Sequence, residues 1–177
     1  MSRKGLNPKF PIILITGTPG TGKSTVANYL AKKLTFHSIN LTELVKRKHL
    51  ASSYDKKRQC YVVDTERLNY ALKSEISRLQ RLKNPPKGLI LDSHLSHFFP
   101  AKEASLCIVC RCSLPVLRKR LEARKYPPEK VRENIDSEIF EVCLQEAIEL
   151  GHTTLQVDTS KKNCLGSALR RVKNFLK

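Results

Sequence analysis

The sequence predicts an α/β fold in which a parallel sheet is covered by helices on both faces. Three observations predict it. Short apolar runs alternate with amphipathic helical patterns along the chain. Those runs are apolar on both faces, as strands buried on both sides must be. The first run, Pro11-Ile12-Ile13-Leu14-Ile15-Thr16, leads through Gly17-Thr18-Pro19-Gly20-Thr21-Gly22-Lys23-Ser24-Thr25 into a helical pattern at Val26, Leu30, Ala31 and Leu34. Strand, glycine-rich loop, then helix is the context in which such a string cradles phosphate.

The elements follow in order. Strand one covers residues 11–16, and the helix after the loop reaches about Leu34. Phe36 to Leu41 reads as strand two. Thr42 then caps a short helix through Leu44 and Val45. Residues 50–60 are polar and turn-like, and Cys60 to Val63 is a short β-like run. From Thr65 an amphipathic helix carries Leu68, Leu72, Ile76 and Leu79, and Asn84-Pro85-Pro86 stops it. Gly88 to Asp92 and residues 105–111 are buried strands. Pro115 sits early in the next helix, which Tyr126-Pro127-Pro128 interrupts. One long helix from Glu129 to Leu150 is expected, closed by Gly151. Thr154 to Val157 is a last strand, and residues 164–177 form a closing helix. The 177 residues suit one domain with a good core, spanning 1–177.

The loop supplies the first chemistry. Backbone N–H groups from Gly17 to Gly22 can wrap a triphosphate, and the helix N-terminus adds positive potential. Lys23 is placed for the β- and γ-phosphates, and the Ser24 hydroxyl for Mg²⁺. A Mg²⁺ shell needs a carboxylate as well. Asp92, at the end of Leu89-Ile90-Leu91, fits that need. His94 lies two residues on. It either orients a water or touches the γ-phosphate, or it is a hydrogen-bonded loop histidine. His97 reads as structural. Arg120 and Arg124 share one helix face at i, i+4, where a closing lid could bring them over a transferred phosphoryl group.

Charge and cysteines bound the rest. The formal net charge is +17, from 33 basic and 16 acidic residues. That favours polyanions such as RNA, and it equally describes a solvated basic surface. No aromatic-rich RNA-binding motif is present. Cys107-x-x-Cys110 lies in a strand, so its two thiols should point to opposite faces. With no second such pair, the six cysteines read as core residues of a reducing compartment. No apolar run approaches membrane-spanning length, and Met1 to Lys9 has no signal-type apolar segment. An intracellular location is expected.

The order of motifs now becomes specific. The P-loop, then Asp92-Ser93-His94, then Arg120-Leu121-Glu122-Ala123-Arg124-Lys125-Tyr126, then Lys130-Val131-Arg132-Glu133-Asn134-Ile135-Asp136-Ser137-Glu138-Ile139-Phe140, closely resembles the adenylate kinase isoenzyme 6 family. This family is also called the coilin-interacting nuclear ATPase family. The resemblance runs from about Ile12 to Ala147. It implies a P-loop nucleoside-monophosphate-kinase-like fold, with an NMP-binding insert at about 40–63 and a short lid at about 123–133. It implies binding of ATP with Mg²⁺, phosphate transfer to AMP giving ADP, and ATP hydrolysis. It also implies a role in small ribosomal subunit maturation, with a platform ribosomal protein and pre-ribosomal RNA as partners. The location would be cytoplasmic in an archaeon, and nuclear and cytoplasmic in a eukaryote.

By the same resemblance, Gly20, Gly22, Lys23, Ser24 and Thr25 hold ATP, Arg124 contacts nucleotide from the lid, and Lys162 lines the adenine pocket. Two residues depart from the family pattern. Lys46 stands where many members carry arginine, and lysine cannot offer a bidentate fork to phosphate. Lys125 replaces the glycine before Tyr126. Two alternatives stay open. One is a nucleotide-switched assembly module with little AMP kinase activity. The other is a small-molecule P-loop kinase such as a shikimate kinase, which the Arg-Leu-Glu-x-Arg string argues against.

Overall fold

In the computed structural model, residues 10–56 and 60–177 are described. Readings that fall on residues 1–9 and 57–59 lie outside them. Five parallel strands form the sheet: β1 (Ile12–Thr16), β2 (His37–Asn40), β5 (Leu89–Asp92), β6 (Leu106–Arg111) and β7 (Thr154–Asp158). Their order is β2-β5-β1-β6-β7. The chain turns from one side of β1 to the other, and such a reversal opens a crevice at the carboxyl ends of the strands.

Side-chain alternation splits the core in two. Ile12, Leu14, Leu89, Leu91, Cys107 and Val109 face one way, against Leu44 of α2 (Leu41–Arg47) and Leu68, Leu72 and Ile76 of α3 (Thr65–Gln80). Ile13, Ile15, Ile90, Ile108 and Cys110 face the other way. They meet Val26 and Leu30 of α1 (Lys23–Leu34) and Ala168 and Val172 of α7 (Cys164–Leu176). Cys107 and Cys110 therefore sit on opposite faces, as expected, and both are free thiols. Burial pushes each thiol up to about 12, so neither is poised for redox chemistry. No described helix is long and apolar enough to cross a membrane.

Three expectations need correction. The stretch read as turn-like contains β3 (Ala51–Asp55), paired antiparallel with β4 (Cys60–Val63). The α2 cap is Asn40 rather than Thr42, with the Asn40 side chain accepting from the Glu43 N–H. The long helix breaks into α5 (Pro128–Ile139) and α6 (Val142–Glu149). The break is at Glu141, which takes a left-handed φ of 54°. Its carboxylate pairs with Arg111 at 2.6 Å, which helps fix that corner. α4 (Leu114–Ala123) packs on α5 through Leu117, Leu121, Val131 and Ile135.

Candidate active site

Strand register assembles the site. In the sheet Ile15 lies beside Asp92, and Asp92 beside Asn40. The P-loop, the Asp92–His94 segment and the start of α2 thus converge at one end of the sheet. Between them lies a cleft of about 790 Å³. Gly20, Gly22, Lys23, Ser24 and Thr25 line one wall, beside the buried Asp92 and the solvent-exposed His94. Thr42 and Lys46 of α2 and Tyr61 of β4 stand on another side, and Arg124 and Lys130 where α4 meets α5.

The loop needs its glycines. Gly17 has φ 133° and packs so tightly that a Cβ there would overlap the Cys110 carbonyl oxygen. Gly22, with φ 90°, is the N-cap of α1 and offers no side chain to its free N–H groups. No acidic residue sits in the first turn. The helix start keeps its positive potential for an anion.

Lys23 donates to the Thr18 carbonyl at 3.0 Å. Burial draws its pKa below the usual lysine value, and nearby Asp92 partly opposes that. Asp92 is buried, and burial raises its carboxyl pKa against a hydrogen bond from the Ser24 hydroxyl and the charge of Lys23. Asp92 Oδ1 has no hydrogen-bond partner. A buried, partnerless carboxylate oxygen beside a serine hydroxyl is a donor set that suits a hard cation. Ser24 and Asp92 therefore fit the Mg²⁺ that a P-loop implies.

His94 is held down to about 4, by the low-dielectric cleft walls first and then by Lys23 and Lys130. Solvent still reaches its ring at the mouth of the cleft. It is a neutral imidazole near pH 7. His97 has the structural environment expected of it. Its Nδ1 meets the Thr16 hydroxyl at 2.6 Å, and its Nε2 meets Glu146 at 2.9 Å.

Arg120 and Arg124 do not point into one place. Arg124, the C-cap of α4, lines the cleft. Arg120 lies behind the P-loop, where it donates to the Gly20 carbonyl at 3.4 Å and to Thr159 at 3.0 Å. The Thr159 hydroxyl in turn donates to the Thr21 carbonyl at 2.5 Å. Arg120 thus braces the loop from outside. Lys162 is away from the main cleft too. It lines a neighbouring hollow of about 600 Å³ with Arg111, Asp158 and Asn163. Lys125 takes a left-handed φ of 56°, the geometry that glycine adopts without strain.

One residue in this framework was not marked from sequence as functional: Glu138. It is 3% exposed. It accepts from the Thr18 hydroxyl at 2.6 Å, from Arg111 Nε at 2.8 Å and from the Cys112 N–H at 3.1 Å. Thr18 is also the residue whose carbonyl receives Lys23 and the Thr21 hydroxyl. Glu138 therefore ties α5 to the hub of the phosphate loop. Its spacing from Val131 and Ile135 puts it on the buried face of α5, which is the sequence signal that could have found it. Glu138→Ala should lower stability by about 3 kcal/mol, because it strands a half-buried guanidinium and two donors. Urea unfolding of the variant checks this, and an unchanged midpoint would contradict the assigned network.

Comparisons with known proteins identify the family. A family described as an AAA domain matches residues 13–141. The chain is 33% identical to the adenylate kinase isoenzyme 6 homolog of Dictyostelium discoideum, over 86% of this chain and 88% of that one. It is 37% identical to the Caenorhabditis elegans protein of the same name, over 78% of this chain and 73% of that one. A Methanosarcina acetivorans protein, provisionally named an adenylate kinase, is 39% identical over 84% of this chain and 77% of its own. Among solved structures, a shikimate kinase from Acinetobacter baumannii in complex with shikimate superposes with a TM-score of 0.63. It shares 15% identity and covers 96% of this chain and 94% of its own. At that identity the likeness is one of fold. The motifs, the cleft and the relatives lead to one assignment: the chain belongs to the adenylate kinase isoenzyme 6 family.

Proposed function

We propose that this protein is an ATP–AMP phosphotransferase, producing two ADP, with Mg²⁺-dependent ATPase activity. The observation that carries the reading is a cleft of about 790 Å³ that has the phosphate loop on one wall and Thr42, Lys46 and Tyr61 on another, the wall we assign to the acceptor. The names of the relatives point the same way.

Each residue has a task. The backbone N–H groups of the loop and Lys23 hold the β- and γ-phosphates. Bound Mg²⁺, held by Ser24 and Asp92, would neutralise charge on the phosphates. Arg124 swings with the lid over the moving group. A phosphate oxygen of AMP attacks the γ-phosphorus in line, and the bond to the β–γ bridging oxygen breaks. Negative charge grows on the equatorial and leaving oxygens, where Lys23 and Arg124 offset it. When water replaces AMP, inorganic phosphate and ADP result. A histidine held near 4 is too weak a base to take the water's proton in the ground state. His94 orients that water instead.

A second reading has a specific observation behind it. Lys46 is exposed, and its ammonium sits 5.7 Å from the Tyr61 ring centroid. A lysine there gives AMP a point charge rather than a fork. A weak acceptor site suits a nucleotide-switched module in small-subunit maturation and rRNA processing. The family resemblance and the +17 charge support that setting, with a platform ribosomal protein and pre-ribosomal RNA as partners. Lys46→Arg should lower the KM for AMP by roughly tenfold, the effect of about 1.4 kcal/mol from a second charged hydrogen bond. Steady-state kinetics over an AMP series measures it. An unchanged KM in the variant removes Lys46 from the acceptor site.

ADP formation with and without AMP separates the two readings. Strong stimulation by AMP supports the kinase. Stimulation by RNA or a ribosomal protein, with none by AMP, supports the switch.

A further inference from the structure

The geometry points to a zinc site formed by His97, Cys143 and Glu146, separate from the Mg²⁺ position and directly beneath the phosphate loop. Among the described residues these three side chains gather so that a His97 ring nitrogen, Cys143 Sγ and a Glu146 carboxylate oxygen all lie within 4.8 Å of one another, and it is Nε2 that faces Glu146, at 2.9 Å. Nitrogen, thiolate and carboxylate are the donors Zn²⁺ takes, at bond lengths of about 2.0–2.3 Å, so side-chain shifts of about 1 Å would set the three atoms around one ion.

The placement comes from two short elements. Cys143 and Glu146 are three apart on α6, so they share one face of it. His97 is carried by the 3-10 turn Ser96–Phe98, which packs against β1 and α6. His97 is 1% exposed and Cys143 9%, while the Glu146 side chain is 40% exposed. Two ligands are therefore fixed inside, and the third opens to solvent. An ion can enter past Glu146, and a water can complete a tetrahedron there.

A second, independent observation concerns the imidazole. A ligating histidine usually offers its other nitrogen to a hydrogen-bond partner that fixes ring and tautomer. Here Nδ1 is 2.6 Å from the Thr16 hydroxyl. That hydroxyl has its own alternative acceptor, the His94 carbonyl, at 3.4 Å. The structure thus provides for both tautomers. Without metal, Thr16 donates to Nδ1 and Nε2–H donates to Glu146. With metal on Nε2, the ring proton sits on Nδ1 and donates to Thr16, which turns its own proton to the His94 carbonyl. The backbone of the turn is held by His152, whose Nε2 meets the His97 carbonyl at 2.7 Å.

Charge also balances. Zn²⁺ displaces the Cys143 thiol proton to solvent, and the thiolate and the Glu146 carboxylate together neutralise the ion. Because Thr16 ends β1 and leads directly into Gly17, occupancy would staple α6 and the 3-10 turn to the root of the phosphate loop. The role is structural, and no ligand is shared with Ser24 or Asp92.

Co²⁺ titration of the purified full chain, without nucleotide, tests the site. Co²⁺ bound to thiolate gives a near-ultraviolet charge-transfer band, which Co²⁺ held by Ser24 and Asp92 cannot give. The expected result is a band that saturates at one ion per chain, is bleached by Zn²⁺, and is lost in Cys143→Ser while circular dichroism shows the fold intact. His97→Gln should weaken the apparent affinity at least tenfold. No band in the wild type, or a band that persists in Cys143→Ser, overturns the proposal. The readout does not involve turnover, so it stands apart from the kinase assignment.

Discussion

Lys23→Ala should reduce ATP turnover by on the order of 10³-fold, the loss typical when one preorganised charge at a reacting oxygen is removed. The case rests on where the ammonium is held. Lys23 is in the first turn of α1, and its Nζ is 3.0 Å from the Thr18 carbonyl, at the centre of the loop. Burial lowers its pKa, so the ammonium is poorly solvated and interacts more strongly with a polyphosphate than a surface lysine would. Moving from carbonyl to phosphate exchanges a dipole for a full charge. Lys23→Arg should not restore activity, because a planar guanidinium fork does not reproduce the single ammonium held at the Thr18 carbonyl. Kinetics on folded, purified variants decides this. Alanine turnover within tenfold of wild type would remove Lys23 from the reaction.

Asp92→Asn should have two opposite effects. Turnover should fall by about 10²–10³-fold, since the carboxylate that fits Mg²⁺ is gone. Stability of the nucleotide-free, metal-free protein should rise, by about 3–6 °C in Tm, the equivalent of relieving about 1–2 kcal/mol in a chain of this size. Asp92 is 4% exposed and its Oδ1 has no partner, so the charged form is costly in the fold. Loss of its field at Lys23 works the other way and trims the gain.

The pH dependence follows from the direction of the shift. Asp92 has a folded-state pKa above its unfolded value. The unfolded chain therefore releases this proton first, and its contribution to stability falls as pH rises from the unfolded value through the raised folded one. The variant should lose that fall. Its advantage should be small at pH values below the ordinary aspartate range and should grow as pH rises through the raised folded value. Melting curves in chelator at both ends show it. A lower Tm for Asp92→Asn at pH 7 would contradict the burial argument. Such a trade of stability for function is expected where a charge is kept buried for a ligand.

Much of this was legible in the chain. Gly17 to Thr25 after Ile12–Thr16 marked strand, loop and helix, because only a few residue types allow that backbone. Asp92 was legible because four buried residues preceding a carboxylate leave it at the end of a central strand. The two faces of β6 were legible from alternation alone.

What failed was non-local or weakly patterned. β3 carries Ala51-Ser52-Ser53 and buries neither face fully, so periodicity had nothing to register. It is held by its partner, through the Ser52 hydroxyl to the Val62 carbonyl and the Tyr54–Tyr61 ring contact at 5.1 Å. The break between α5 and α6 was hidden because Glu141 adopts a left-handed backbone without being glycine. Arg120 and Arg124 share a spacing but not a target, since Arg124 sits where α4 ends. Glu138 finds Thr18 across 120 residues, a separation no local pattern reports.

The central claim is that the cleft moves a phosphoryl group from ATP to AMP. The most direct measurement follows γ-labelled ATP after mixing with AMP, Mg²⁺ and the protein. The account predicts that label appears in ADP faster than in inorganic phosphate, and that Lys23→Ala abolishes both. Label released only as inorganic phosphate at saturating AMP would contradict it, and would leave an ATP-hydrolysing switch in its place.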